Sequence, residues 1–260
     1  MSSVAKSVPP AEFADVEAPD VSGIVTEDDV PVDNFASEKQ QRLLTEPLYT
    51  SWSGPPALAD LEEPSVPRTF VAAANVGVFS QLGAPPLVPD VFLSLDVKLD
   101  PDLWKKENRT YFVWEMGKPP TVAIEIVSNR EGGELSTKRH KYARMGVAYY
   151  VVWDPQGIYG EPNLRAFARA GELYLRLERL SFPSIGLSLV LWEGDYEGVH
   201  AVWLRWADLD GTLIPTGAER AESAQARADA AQARAEEAQA RAERLAEKLR
   251  ALGVDPNGDA

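Results

Sequence analysis

A chain of 260 residues, 45% of them apolar, holds enough material for one good-sized core with extensions at its ends. It has no cysteine and only two histidines, His140 and His200, which excludes disulfides, thiolate zinc sites and cysteine nucleophiles; the oxygen ligands that remain suit magnesium or manganese. Its net charge of −14 argues against a broadly basic surface for nucleic acid.

Half of that charge lies in residues 1–33, where eight acids accompany one lysine among Pro, Ala and Ser. With no apolar period, this stretch is expected to be a disordered acidic tail. It lacks the basic-then-apolar layout of a signal peptide, and no run approaches the roughly 18 apolar residues of a membrane span. The protein is therefore expected to be soluble and cytoplasmic, with no membrane partner. Without its two ends the chain carries a net charge of about −5.

Ser37 reads as the N-cap of a short amphipathic helix, EKQQRLLTEPLY, ending near Pro47. A connector with Pro55, Pro64 and Pro67 follows. Runs rich in Val, Ile, Phe, Trp and Tyr at 69–80, 88–97, 110–115 and 121–128 predict strands. The stretch GELSTKRHKYARMG is helical, closed by Gly146, and 147–153 is a strongly apolar strand ending at Asp154 and Pro155. Strand, helix, strand in that order favours a crossover in a mixed sheet. Four further short runs, at 164–169, 172–179, 187–192 and 199–206, look like a β-hairpin extension. The main domain is thus expected over 34–210. Residues 217–250 are an alanine-rich helix whose blocks AQARADA, AQARAEE and AQARAER repeat every seven residues, ahead of a flexible tail at 251–260. Both a weak coiled coil, joining a homodimer, and a solvated single helix fit this pattern.

Glu125 interrupts the otherwise apolar run Val122 to Val127, and a charge there must be paired or bound to metal. Asp90 opens a strand behind Pro89. Two carboxylates on neighbouring strands suit one hard divalent cation, which lowers the pKa of a bound water and neutralises charge on a phosphate. On the helix, Leu135, Lys138, Tyr142 and Met145 share the apolar face, so Lys138 points at the sheet while Lys141, Thr137 and Arg144 face solvent. Singly, each residue has another reading: a turn aspartate, a buried ion pair, a lysine whose stem covers the core. Tyr142 reads as a packing residue, and Trp153, Trp192, Trp203 and Trp206 read as core or interface residues ahead of base-stacking ones.

The segments PDVFLSL, VAIEIVS and ELSTKRHKYARMGVAYYVVWDP resemble the Uma family of endonucleases within the PD-(D/E)XK superfamily, over about residues 34–209. The resemblance implies a restriction-endonuclease-like α/β fold, a mixed sheet flanked by helices. It also implies a Mg²⁺-dependent (or Mn²⁺-dependent) cleavage of DNA, with Asp90, Glu125 and the main-chain carbonyl of Ile126 as metal ligands and Lys138 as the catalytic lysine. Val127 stands where the superfamily places its lysine, two residues after the acid, and Lys138 matches the family's displaced lysine. Glu38 is the candidate for the acid that many members carry on the first helix. The other reading is a catalytically silent nuclease-like fold serving as an interaction or oligomerisation module.

Overall fold

A computed structural model describes residues 34–55, 68–129 and 132–252. The expected tails at 1–33 and beyond 252, and most of the proline-rich connector, lie outside the described residues.

The first helix, α1 (Phe35–Thr50), starts three residues earlier than Ser37 would place it. Asn34 is the cap, its Oδ1 accepting the Ser37 amide at 3.0 Å. Pro47 does not end the helix; it sits in the last turn, whose end is held by the Ser51 and Trp52 amides donating to the Pro47 carbonyl. Buried Leu43, Leu44 and Leu48 form its apolar stripe.

The strands follow in short pieces. They are β1 (Phe70–Ala74), β2 (Val78–Phe79), β3 (Val91–Leu95), β4 (Tyr111–Phe112) and, after the one-turn helix α2 (Val113–Met116), β5 (Val122–Ile126). The run at 110–115 is thus a strand only in its first half; Gly117, at φ 72°, closes the helical turn that replaces the rest. A π-helical turn at Glu134–Lys138 leads into α3 (Arg139–Met145), and β6 (Tyr149–Trp153) returns beside β5. Then come β7 (Leu164–Ala170), β8 (Leu173–Arg176), β9 (Ser181–Phe182), β10 (Leu187–Tyr196), β11 (Val199–Ala207) and the long helix α4 (Gly217–Ala251).

Six strands form the main sheet in the order β1-β3-β5-β6-β7-β8; only the β5–β6 pair, joined by the helical crossover, is parallel. The expected hairpin extension divides in two. β7 and β8 complete the main sheet, because β7 pairs in register with β6, while β9, β10 and β11 make a separate three-stranded sheet.

Alternation along β3 and β5 gives the sheet two buried faces. Val91, Leu93, Val122 and Ile124 pack with Leu44 and Leu48 of α1 and with Leu187, Leu204 and Trp206 of the small sheet. Ala123 and Val127 on the other face pack with Tyr142 of α3 and with Tyr150 and Val152. Gln40 fixes α1 to β11 through both ends of its amide, donating to the Leu204 carbonyl at 2.7 Å and accepting its N–H at 3.0 Å. Buried polar groups of this kind are tolerated because each end is satisfied.

Candidate active site

Glu125 occupies the fourth position of β5, a strand buried along its whole length, and is 1% exposed. Its side chain lies on the face covered by α3. In the antiparallel β3–β5 register Val91 faces Ile124, so one step further on Asp90 comes opposite Glu125, with both carboxylates on that face. Asp90 Oδ2 accepts the amide of Ile126 at 2.5 Å, tying the start of β3 to the residue after Glu125.

Two donors from the crossover helix converge on Glu125. Lys138 Nζ donates to Oε2 at 2.7 Å and the Tyr142 hydroxyl donates to Oε1 at 2.8 Å. Four residues apart on a helix, these side chains share one face, and that face lies on the sheet. Lys138 keeps 29% of its side chain exposed, whereas the Glu125 side chain is sealed from solvent.

Burial, reinforced by the negative charge of Asp90, pushes the Glu125 carboxyl up to about 8, against the pull of Lys138 and Tyr142. For Lys138 burial works against the ammonium, but the charge and hydrogen bond of Glu125, with Asp90 and Glu134 behind them, outweigh it and raise the pKa. The lysine therefore stays charged, while the glutamate is poised between neutral and ionised.

Glu134, for which the residue pattern carries no signal, belongs to this cluster. It is 6% exposed, its Oε1 lies 3.7 Å from Lys138 Nζ, its Oε2 accepts the Tyr159 hydroxyl at 2.9 Å, and its carbonyl accepts the Tyr150 hydroxyl at 2.8 Å. Gly132 leaves room for that carboxylate, since a Cβ there would fall 1.8 Å from Glu134 Oε1. Tyr142, expected only to pack, also carries a hydrogen bond to the central acid.

Glu38 is placed elsewhere. Its carboxylate pairs with Arg42 at 2.7 Å on the exposed side of α1, where Arg42 and Lys39 also hold Glu197, and α1 covers the opposite face of the sheet. Trp153, Trp203 and Trp206 are buried, and Trp192 stacks against the Arg205 guanidinium at 4.7 Å. Among the described residues no three acidic or histidine side chains converge as a metal cluster, so a cation here would rest on two carboxylates with main-chain and water oxygens completing its shell.

A mixed sheet whose parallel central pair is bridged by a helix has the architecture of the restriction-endonuclease-like class. The family model Uma2, described as "Putative restriction endonuclease", matches residues 18–184, and the chain belongs to that family. No curated protein and no solved structure matches it. No helix among the described residues is long and apolar enough to cross a membrane.

Proposed function

We propose that the chain is a divalent-metal-dependent endonuclease that hydrolyses phosphodiester bonds of DNA in the cytoplasm. The observation that carries this reading is the ion pair between Lys138 and buried Glu125, on the strand position facing Asp90. The site suits a hard cation. Its candidate ligands are all oxygen, and the charge of Asp90 raises the cost of ionising Glu125, a repulsion that a cation between them would cancel. Asp90, Glu125 and the Ile126 carbonyl would hold Mg²⁺ or Mn²⁺, which when bound supplies a water of lowered pKa and neutralises phosphate charge.

The protein groups have separable tasks. Tyr142 fixes the Glu125 carboxylate through one oxygen, and the Ile126 amide fixes Asp90. Lys138 remains an ammonium, so it works by charge and hydrogen bonding on the phosphate as negative charge develops, and not by taking a proton. The test is cleavage of plasmid or oligonucleotide DNA with Mg²⁺ or Mn²⁺ and with chelator. Glu125→Ala and Lys138→Ala should each lose about 10²–10³-fold in rate while keeping the wild-type circular dichroism. Equal rates in the three proteins would overturn the assignment.

A second reading, an oligomerisation module, is favoured by α4, in which no residue is buried over 35 residues. It has a homodimer joined through this helix as its product, and sedimentation of the chain with and without 224–260 decides it.

A further inference from the structure

Lys138, the last residue of the π-helical turn, points toward Glu125, and Arg139 lies over the Phe167 ring at 5.3 Å, but the next two cations of α3 face outward. Lys141 and Arg144 stand three and six residues beyond Lys138, are exposed, and among the described residues make no ion pair. Both line a cleft of about 390 Å³ whose walls also include Ser80, Gln81, Leu87 and Met145.

Two walls of the cleft belong to chain segments that also carry residues of the candidate active site. One wall is the helix that carries Lys138. The other is the segment running into Asp90: Leu87 pairs through its backbone with Val78, at 2.7 and 3.1 Å, three residues before that aspartate. Along the helix, Lys138, Lys141 and Arg144 are spread over about 9 Å of rise. Charges recur about every 3.4 Å of duplex rise along one strand, so cations spread over that length can reach more than one phosphate. The hydroxyl of Ser80 and the amide of Gln81 add neutral donors of the kind that also bind phosphate oxygens.

We infer that this cleft is the track for the nucleic-acid backbone, with Lys141 and Arg144 holding the phosphates that follow the one at Lys138. The inference rests on the phosphodiesterase reading of the site and supplies what the overall charge lacks, a local electrostatic reason for a nucleic-acid substrate. A track of backbone contacts positions the strand and carries no sequence preference of its own.

Binding of labelled DNA duplex, single-stranded DNA and RNA of equal length to the full chain tests it, by fluorescence anisotropy with Mg²⁺ in a Glu125→Gln background, from low to moderate salt. At least one of these backbones should bind with an affinity that falls with salt. The double change Lys141→Gln/Arg144→Gln should weaken it about 10-fold at moderate salt and lower the slope of log affinity on log salt by about 2. Lys248→Gln/Arg250→Gln, which removes the same charge from the end of α4, should change neither. Unaltered binding by the cleft variant, an equal loss in the α4 variant, or no binding by any of the proteins overturns the inference. The nuclease reading fails separately, if wild-type protein binds through the cleft and never cuts.

Discussion

A carboxylate in the middle of an apolar strand needs donors, and Glu125 draws them from the helix above it. Tyr142→Phe removes one, at a cost of about 1 kcal/mol in unfolding free energy by denaturant titration, with the fold intact. Since that hydrogen bond lowers the Glu125 pKa, its loss moves the carboxyl further up. The pH dependence follows from the sign of the shift. Glu125 is raised from 4.5 to about 8, so its favourable contribution to the metal-free fold is complete below 4.5 and is lost as pH rises through about 8. A cation at Asp90 and Glu125 requires the ionised form. On the proposed reading Mn²⁺ affinity therefore increases from pH 6.5 to 8.5, with a proton released on binding. Titration calorimetry in buffers of different ionisation enthalpy measures both, and an affinity independent of pH would remove Glu125 from the ligand set. Lys138 was legible at this scale because helical phase separates it from Lys141. Glu134 was not, since an acid at the start of a helix is usually solvated, and the π-helical turn that brings it toward Lys138 leaves no mark in the residue pattern. The hydroxyl of Tyr142 was equally silent, because tyrosine on an apolar stripe reads as packing.

Secondary-structure elements were legible where their partners are local and less so where they are distant. Asn34 and Ser37 have the same capping chemistry, and only the geometry of the turn chooses between them. β7 and β8 have the look of a free hairpin because the edge they complete, β6, announces nothing about its partner. The docking of α4 is a further example. Thr216 and Glu219 form a capping box, and Glu219 also takes Arg205, 2% exposed, in two hydrogen bonds of 2.8 and 2.6 Å. Burial opposes the ionised Glu219, but the hydrogen bond from Arg205 and those from Thr216 prevail and lower its pKa. Gly217 packs so closely on α1 that a Cβ would meet Glu46 Oε1 at 2.7 Å, and its amide donates to that oxygen. Glu219→Ala should destabilise the fold by about 2 kcal/mol, below the figure for a fully buried pair because Glu219 is 40% exposed. Asn34→Ala, which loses only a cap, should cost about 1 kcal/mol. Urea denaturation gives the order, and a larger loss for Asn34 would show that the Arg205 pair does not anchor α4.

At the scale of the whole molecule the helix beyond its first turns contributes nothing to the core. Leu245, Leu249 and Leu252 are exposed, at 53%, 38% and 78%. Deleting 224–260 should leave the melting temperature within about 2 °C of the full chain while removing a large part of the helical dichroism. A drop of 5 °C or more would mean that the helix is packed in solution, as it would be in a dimer. Charge shows why whole-chain totals mislead. The acids outnumber the bases by 14 overall, yet on the proposed reading the groups that meet the substrate are a few cations on one helix, and a sum over the chain cannot locate them. The heptad repeat was plain in the sequence, while its anchoring by a buried arginine was not, because Arg205 lies in a strand whose other signals are apolar.

The length of α4 has a mechanical consequence. At about 1.5 Å per residue a rigid rod of 35 residues extends roughly 50 Å, more than the diameter of a small domain. Held at its base and otherwise untouched, it makes the molecule tumble as an elongated particle. It also stands any fluorophore, bead or fused protein placed at its far end well clear of the sheet, so immobilising the chain there should leave the cleft beside α3 open to a passing strand.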